Sequence, residues 1–265
     1  MTVNQRPSGS VRHDNRGRIV LVTGGGQGIG SAICRMFAES GATVVCAEID
    51  PSRADPLPPN VSIRATDTAD EHACQSVVEW TVATYGGLDV LVNNAAIQPP
   101  ASYVPVDALE SQLVQRMIDV NFLGYTHMAK YAMQQMKRQG SGIVVNIASE
   151  QGHRTTRGVA IYGPLKAANI LQAKQWAIEY ARDGIRVVSV SPGAIETPLV
   201  RASLDAQGGA VALANRHPLG RIGQPAEIAA AVLWLSSPEA SFITGADLAV
   251  DGGLGAYGAF ADPYK

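Results

Sequence analysis

Short runs of apolar, β-branched residues alternate along this chain with longer segments whose apolar residues recur at helical spacing. The short runs predict strands at Ile19–Thr23, Thr43–Glu48, Val61–Ala65, Val90–Asn93, Ile143–Ala148, Arg186–Ser191 and Asp247–Val250. The longer segments predict helices at Ile29–Ser40, Glu71–Tyr85, Leu109–Gln139, Ile161–Arg182 and Ala226–Ser236. Strands that alternate with helices in this way form βαβ units, whose strands are parallel.

This alternation predicts the fold class and the domain limits. We expect an α/β protein with a single-domain, Rossmann-type, doubly wound parallel sheet of about seven strands and helices on both faces. No shift of composition separates a second domain, so residues 17–253 are expected to form one dinucleotide-binding catalytic domain. Residues 1–16 are expected to be a flexible tail, and residues 254–265 a tail that packs at a subunit interface.

Two irregular segments interrupt the pattern. The first, residues 50–60, contains four prolines, and it predicts an extended loop where a crossover helix would be usual. The second, residues 198–218, follows a strand end and mixes glycine and proline with helix-forming residues. That composition suits a mobile lid over a site as well as a simple connector.

Composition and charge narrow the function class. Hydrophobic residues make up 46% of the chain and the formal net charge is −2, so no global field attracts nucleic acid or an anionic membrane, and a small-molecule partner is expected. No uncharged apolar run approaches the length of a membrane span. The three cysteines, Cys34, Cys46 and Cys74, show neither disulfide nor zinc spacing. Together these features predict a cytoplasmic protein with metal-free chemistry.

A glycine-rich turn between the first strand and the first helix is the first candidate site. In the stretch Thr23-Gly-Gly-Gly-Gln-Gly-Ile-Gly30, Gly24 permits a tight turn, Gly28 lets backbone approach a pyrophosphate, and Gly30 lets helix and strand pack closely. A phosphate would then lie on the helix N-terminus. A ligand-free glycine turn is the alternative, but the strand-to-helix context favours a dinucleotide.

A carboxylate at the end of the second strand predicts which dinucleotide is bound. Glu48 follows Gly30 by 18 residues, at the place where a dinucleotide site needs an acceptor for the adenosine ribose hydroxyls, and Asp50 is the second choice. A carboxylate there would repel the additional phosphate of NADP, and the glycine turn contains no Arg or Lys that could neutralise it. The sequence therefore predicts NAD, unless the acid is merely solvated at a strand end.

Three residues further along carry candidate catalytic chemistry. Ser149 lies at the carboxyl end of a predicted strand, where ligands bind in open parallel sheets. Tyr162 and Lys166 lie four residues apart, on one face of a predicted helix. A nearby ammonium stabilises phenolate, so Lys166 is expected to lower the Tyr162 pKa from about 10 toward working pH. An exposed Tyr–Lys pair is the default interpretation, but the spacing from Ser149 favours a general acid/base.

From Arg18 to Gly253 the chain resembles the short-chain dehydrogenase/reductase family. The resemblance rests on motifs that occur in the family's order: Thr23 to Gly30, Asn93-Asn-Ala-Ala96, Asn121, Ser149, Tyr162 with Lys166, Ser191-Pro-Gly193 with Thr197, Arg221-Ile-Gly-Gln-Pro225 and Asp251-Gly-Gly253. It implies an NAD-dependent oxidoreductase that moves a hydride between nicotinamide and a secondary alcohol or its carbonyl.

The resemblance also implies a role for each matching residue. Tyr162 would exchange the substrate's proton, Ser149 would hold its oxygen, Lys166 would also bind the nicotinamide ribose, and Asn121 would hold a water in a proton relay. The implied cofactor contacts are Gly24, Gln27, Gly28, Ile29, Gly30, Glu48, Asp67, Thr68, Asn94, Ala95, Ala96, Tyr162, Lys166, Pro192, Gly193, Ile195 and Thr197. Among them, Asp67 would contact the adenine.

Three departures from the family pattern qualify these roles. Ala96 replaces the usual final glycine of its motif, which is tolerable where the backbone φ is not positive. Pro164 lies between Tyr162 and Lys166, in the first helical turn, where a missing N–H costs little. The proline-rich loop at residues 50–60 borders the adenine side and is expected to affect cofactor affinity rather than chemistry.

The residues after Ser149 suggest a polar substrate pocket. Gln98, Gln151 and His153 are candidate substrate contacts, because groups that both donate and accept hydrogen bonds recognise hydroxyl-rich molecules. The combination resembles family members that oxidise sugars or cyclic polyols. The alternative is that Gln151 and His153 are loop residues that face solvent.

Other functions and an assembly are also weighed. A catalytically idle dinucleotide-binding sensor is one alternative, and an NADPH-type carbonyl or 3-oxoacyl reductase is another. The histidines His127, His153 and His217 lack partners at metal-ligand spacing. Trp80, Trp176 and Trp234 are read as core or subunit-interface residues. The long helices and the apolar segment 254–260 predict a homotetramer or homodimer.

Overall fold

A computed structural model describes residues 11–204 and 208–256 of the chain. Its sheet contains seven parallel strands in the order β3-β2-β1-β4-β5-β6-β7. They are β1 Ile19–Thr23, β2 Thr43–Glu48, β3 Val61–Ala65, β4 Val90–Asn93, β5 Gly142–Ile147, β6 Ile185–Pro192 and β7 Asp247–Val250. The predicted fold class is confirmed, and every predicted strand boundary lies within one residue of the observed one.

The strand order places a crevice beside β1. The chain moves outward from β1 through β2 to β3 and then returns to pair β4 with the other edge of β1, with Val20 opposite Val90. Connections from the carboxyl ends of β1 and β4 therefore diverge to opposite sides, and a ligand can lie between them. This switch point lies directly above the glycine-rich turn.

Helices cover both faces of the sheet. They are α1 Gly28–Glu39, α2 Glu71–Tyr85, α3 Ser111–Ile118, α4 Gly124–Gln139, α5 Tyr162–Tyr180, α6 Pro198–Arg201, α7 Gly209–Ala214 and α8 Pro225–Ser236. Phe37 of α1 and Val232 of α8 belong to the core on one face. Met128 of α4 and Ala173 of α5 belong to the core on the other. Nearly every side chain of the central strands is buried, as a parallel sheet covered on both faces requires.

The prediction of a single helix over Leu109–Gln139 is wrong. The segment begins as a loop and then forms α3, a π-helical turn at Asp119–Leu123, and α4. The wider turn carries Asn121 inward, where its amide Nδ2 donates to the Ile97 carbonyl at 2.9 Å and its Oδ1 accepts from the Ile97 N–H at 2.8 Å. These paired bonds to the chain after β4 account for the break in helical periodicity.

The predictions for the first irregular segment and for the termini can be compared with the structure. Residues 50–60 form a 3-10 turn at Pro51–Arg53 and an extended loop, as predicted. Asn15 lies within the tail predicted for residues 1–16, but it is buried. Its amide donates to the Ser40 hydroxyl at 2.8 Å, so this residue belongs to the folded domain. Residues 1–10 and 257–265, and with them most of the predicted tails, lie outside the described residues. Within the described ranges, no helix is long and apolar enough to cross a bilayer.

Candidate active site

A cavity of about 990 Å³ opens at the carboxyl ends of the central strands. It is lined by most of the predicted site residues: Gly24, Gln27, Gly28, Ile29, Glu48, Asp67, Thr68, Asn94, Ala95, Ala96, Gln98, Ser149, Gln151, Tyr162, Lys166, Pro192, Gly193, Ile195 and Thr197. Three predicted site residues, Gly30, Asn121 and His153, do not line it. The fold therefore gathers residues from the whole length of the chain into one site.

The glycine turn has the backbone that its sequence predicted. Gly24 and Gly28 adopt φ values of +58° and +56°, which favour glycine. Gly30 has a different role, because a Cβ there would overlap the Gly24 carbonyl oxygen and lie 2.6 Å from Asn94 Nδ2. The turn thus packs tightly on the chain that follows β4, and Gly28 and Ile29 of the first helical turn line the cavity.

Thr23 joins the ends of the two strands that flank the crevice. Its hydroxyl oxygen accepts from the backbone N–H groups of Asn94 and Ala95 at 2.9 and 3.0 Å. The Asn94 amide donates in turn to the carbonyl oxygens of Thr23 and Gly24 at 2.9 and 3.0 Å. No non-glycine residue of the described chain has a positive φ, so Ala96 meets the condition for replacing a glycine.

Glu48 lies at the rim of the glycine turn. Its Oε2 accepts from the Gly26 N–H at 3.0 Å and its Oε1 from the Ile49 N–H at 2.9 Å, and the side chain lines the cavity. Asp50, the second candidate, accepts from the backbone and hydroxyl of Ser52 and does not line the cavity. The geometry therefore favours Glu48 over Asp50 as the acid that faces a ligand.

Asp67 has an unexpected partner at the other side of the same rim. Arg116 of α3 donates to both carboxylate oxygens of Asp67 at 3.0 and 3.3 Å, and both residues line the cavity. The sequence analysis missed Arg116, because residues 49 positions apart carry no local signal of contact. The guanidinium orients the carboxylate that the family resemblance assigns to adenine.

Ser149 and Tyr162 both line the cavity. Ser149 follows β5, and its Oγ accepts from the Gln151 N–H at 3.1 Å, which fixes the turn after the strand. Tyr162 begins α5 and is 8% exposed, and no residue of the described chain forms a hydrogen bond with its hydroxyl. That hydroxyl is available to a substrate.

Lys166 is fixed by groups that the sequence did not identify. Its Nζ donates to the Ile147 carbonyl at 2.8 Å and to the Tyr125 hydroxyl at 3.1 Å. The Tyr125 hydroxyl itself donates to the Ile147 carbonyl at 2.8 Å. Tyr125 lies four residues after Asn121 on the inward face of the helix, and that spacing was the available signal.

Burial, rather than Lys166, controls the titration of Tyr162 in the protein itself. Burial raises the pKa of the Tyr162 phenol above its usual value, and it lowers the pKa of Lys166 to about 7. The Lys166 Nζ lies 5.6 Å from the centroid of the Tyr162 ring. The prediction that Lys166 lowers the Tyr162 pKa from about 10 toward working pH is therefore not met in the protein itself, where burial raises that pKa.

The predicted substrate contacts separate into two groups. Gln98 and Gln151 line the cavity, and Gln98 Nε2 and Gln151 Oε1 are buried without a partner among the described residues. His153 instead turns away from the cavity, and its Nε2 lies 2.7 Å from Asp247 Oδ2 on β7. The 3-10 turn at Glu150–Gly152 redirects the chain after Ser149. The prediction that His153 contacts substrate is therefore corrected, because His153 connects this turn to the edge strand β7.

Metal ligation has no candidate cluster in the parts of the chain that the structure describes, where no three His, Cys, Asp or Glu side chains are close enough to hold an ion.

Known proteins resemble this chain over most of its length. A family model described as enoyl-(acyl carrier protein) reductase matches residues 24–255. A cis-4-hydroxycyclohexanecarboxylate dehydrogenase of Sinomonas cyclohexanicum is 38% identical, over 89% of this chain and 96% of that protein. The aldohexose dehydrogenase structure from Thermoplasma acidophilum has a TM-score of 0.86 at 34% identity, and covers 94% of this chain and 98% of its own.

Two further structures of similar fold contain a cofactor. A 3-ketoacyl-(acyl-carrier-protein) reductase from Brucella melitensis, complexed with NADH, has a TM-score of 0.84 at 31% identity over 91% of this chain and 99% of its own. ElxO with NADP bound has a TM-score of 0.83 at 29% identity, with the same coverages of 91% and 99%. These neighbours support a nicotinamide dinucleotide as the cofactor class. The family-model match over residues 24–255, together with 38% identity to a dehydrogenase over 89% of this chain, shows that the chain belongs to the short-chain dehydrogenase/reductase family and is an oxidoreductase.

Proposed function

We propose that this protein is an NAD-dependent dehydrogenase that transfers a hydride between nicotinamide and a secondary alcohol or its carbonyl, with a sugar or cyclic polyol as substrate. The observation that carries the choice of NAD is the position of Glu48. Its carboxylate lines the cavity and is held by the Gly26 N–H at 3.0 Å. The buried free cysteines, Cys34, Cys46 and Cys74, support a cytoplasmic location.

The residues of the cavity fit a dinucleotide. A glycine cradle with positive φ at Gly24 and Gly28 leads into α1, so backbone at a helix N-terminus can take a pyrophosphate. Glu48 would accept from the adenosine ribose hydroxyls, and Lys166 would hold the nicotinamide ribose. Ile195 also lines the cavity, and the family resemblance implies that it contacts the nicotinamide carboxamide.

The protein's own residues would handle the substrate's oxygen and proton, while bound nicotinamide supplies or accepts the hydride. In the oxidation direction, Tyr162 takes the proton of the substrate hydroxyl and Ser149 donates a hydrogen bond to the same oxygen. Lys166 brings positive charge near the phenol, and a cationic cofactor ring favours the phenolate further. Together these charges oppose the effect of burial on the Tyr162 pKa.

Glu48 also supplies the physical reason for discriminating against NADP. A carboxylate forms charge-assisted hydrogen bonds with ribose hydroxyls, but it repels a phosphate attached at the same place. Arg53 lines the cavity too, and it is the nearest cation along the chain that could offset this repulsion. NAD is favoured because Glu48 is anchored directly on the glycine turn.

The polar side of the pocket supports a hydroxyl-rich substrate. Gln98 Nε2 and Gln151 Oε1 offer an unpartnered donor and an unpartnered acceptor, both on residues that line the cavity. A buried amide without a partner costs free energy, and a substrate hydroxyl can satisfy either kind of group. The relatives that act on an aldohexose and on a hydroxycyclohexane ring agree with this class of substrate.

The test compares kcat/KM for NAD and NADP across a panel of sugars, cyclic alcohols and hydroxy acids. We expect NAD to be preferred, and Glu48→Ala to reduce efficiency with NAD by a factor corresponding to about 1 to 3 kcal/mol. Asp50→Ala is the matched control, because Asp50 is two residues away but does not line the cavity. A wild-type enzyme that prefers NADP, or that reduces only acyl thioesters, would contradict the proposal.

A further inference from the structure

His217 is a buried histidine that the chemistry above does not use. It follows α7, is 1% exposed, and lines the cavity. Both nitrogens of its ring have backbone partners. The Ala194 N–H donates to Nε2 at 3.0 Å, and Nδ1 lies 2.9 Å from the Leu213 carbonyl oxygen.

These two partners determine the tautomer of the ring. A backbone N–H can only donate, so Nε2 must be the unprotonated nitrogen that accepts from Ala194. A carbonyl can only accept, so Nδ1 must carry the proton that is donated to Leu213. One neutral tautomer satisfies both bonds. A protonated ring, or the other tautomer, would set a donor against the Ala194 N–H.

The ring connects two parts of the site that are distant in sequence. Ala194 belongs to the turn after β6, and the next residue, Ile195, pairs with Gly223 in an isolated parallel bridge. Leu213 belongs to α7, and its side chain lines the cavity. Thus the imidazole joins a helix that borders the cavity to the turn that leads into the nicotinamide side.

Packing leaves little freedom for this connection. A Cβ on Gly193 would lie 2.9 Å from His217 Nε2 and 3.0 Å from the backbone of Asp251. The ring therefore rests directly on the backbone of the turn. The Leu219 N–H donates to the Gly252 carbonyl at 3.1 Å, which fixes the chain just after His217.

We propose that His217, in its Nδ1-protonated neutral form, is a positioning residue that holds the Gly193–Ala194 turn against α7 and so sets affinity for the nicotinamide half of the cofactor. This inference rests on the proposed function, which assigns that half of the cofactor to this wall of the cavity. If the ring merely filled space in the core, cofactor affinity would not depend on which of its two nitrogens keeps a hydrogen-bond partner.

Three variants separate positioning from packing. His217→Gln places an amide oxygen near the position of Nε2 and keeps an acceptor for Ala194, whereas His217→Asn keeps a donor near Leu213 but loses that acceptor. His217→Phe keeps the ring and loses both bonds. Each variant is titrated with NADH, and also with ADP-ribose, which lacks the nicotinamide ring.

We expect Kd for NADH to rise by roughly 5- to 10-fold in His217→Asn, as loss of one buried hydrogen bond implies, by at least as much in His217→Phe, which loses both bonds, and by less in His217→Gln. Kd for ADP-ribose should stay the same in all three. Equal NADH affinity across the variants, or parallel losses for both ligands, would overturn the inference. Wild-type protein that binds neither ligand would instead overturn the proposed function, and this inference with it.

The tautomer of His217 can be measured in wild-type protein, so this test does not depend on whether a variant folds. In wild-type protein with ¹⁵N-labelled histidine, the His217 signals should show a proton on Nδ1 and none on Nε2 at pH 7.5. A proton on Nε2 would overturn the inference whatever the variants do.

Discussion

Tyr162 and Lys166 show how burial of single residues controls the chemistry of this site. Burial favours the neutral phenol of Tyr162 and lowers the pKa of Lys166 to about 7. The buried phenol by itself would therefore be poorly suited to accepting a proton at neutral pH. The positive charge of an oxidised nicotinamide ring supplies the missing stabilisation of phenolate. Proton exchange should accordingly depend on the whole assembled site.

The first prediction concerns this proton exchange. The Tyr162 pKa lies above the neutral range, so the phenolate fraction grows as pH rises through that range. Alcohol oxidation should therefore rise with pH. Tyr162→Phe should abolish turnover while NADH binding, followed by fluorescence, changes little. Tyr131→Phe is the control, since Tyr131 does not line the cavity and its hydroxyl donates to Glu71 Oε1 at 3.0 Å. Substantial oxidation by Tyr162→Phe with an unchanged pH profile would show that another group accepts the proton.

Lys166 leads to a prediction about stability. Its folded pKa of about 7 lies below the usual 10.5, so the folded chain binds fewer protons than the unfolded chain between those values. The cost of burying the charge is thus full below pH 7 and disappears as pH rises toward 10.5. At pH 6, the free energy of unfolding of Lys166→Met, measured with urea, should exceed that of wild type by about 1 to 3 kcal/mol. The variant should lose activity.

Measurements at two pH values test this sign. The advantage of Lys166→Met should narrow by pH 9, because the wild-type lysine is then mostly neutral. A Lys166→Met protein that is less stable at pH 6 than at pH 9, relative to wild type, would contradict the assigned direction.

Among the elements, the π-helical turn at Asp119–Leu123 has the largest structural effect on the site. It points Asn121 at the backbone of Ile97, and Asn169 donates to the Asn121 carbonyl at 2.9 Å. Both side-chain polar atoms of Asn121 are used in the pair with Ile97, so the water-holding role that the family resemblance implies would fall to its backbone. The turn therefore links α4, α5 and the chain after β4.

The prediction for this element is a loss of stability. Asn121→Leu leaves the N–H and carbonyl of Ile97 without their partner, which should lower the free energy of unfolding by about 1 to 3 kcal/mol. Urea denaturation measures the change. Gln115→Ala on exposed α3 is the control, because its amide bonds only Asp119 of the same helical segment. A variant as stable as the control would mean that Ile97 finds other partners.

For the whole molecule, α5 carries an apolar face that no residue in the described part of the chain covers. Leu171 and Ile178 lie seven positions apart on one side of the helix and are 66% and 78% exposed. Large apolar residues on one helix face are typical of an interface. Part of the apolar segment 254–260, which supports the same prediction, lies outside the described residues. We propose that α5 packs against its copy in a homodimer or homotetramer.

Light scattering at micromolar concentration tests this assembly. Wild-type protein should have at least twice the monomer mass of 27.8 kDa, and the double substitution of Leu171→Asp with Ile178→Asp should lower it. Val211→Asp is the control, since Val211 is 76% exposed on a different helix. A monomeric wild type would show that this face is not an interface between copies.

The sequence by itself determined the positions of the seven strands and many of the residues that line the cavity. Short runs of β-branched residues are local features of the chain, so they predicted each strand within one residue. Glycine positions and the Ser149, Tyr162 and Lys166 spacing predicted chemistry, because parallel strands bring their carboxyl ends to one edge. These features depend only on neighbours in the chain and on a general rule of topology.

Only the tertiary structure decided where side chains point and what surrounds them. The inward turn of Asn121 onto Ile97, the pairing of His153 with Asp247, and the contact of His217 with the Ala194 N–H all join residues at least 23 positions apart. The pKa directions of Tyr162 and Lys166 likewise follow from burial by distant elements. Such contacts and desolvation depend on packing between elements, and a local pattern of residues carries no record of that packing.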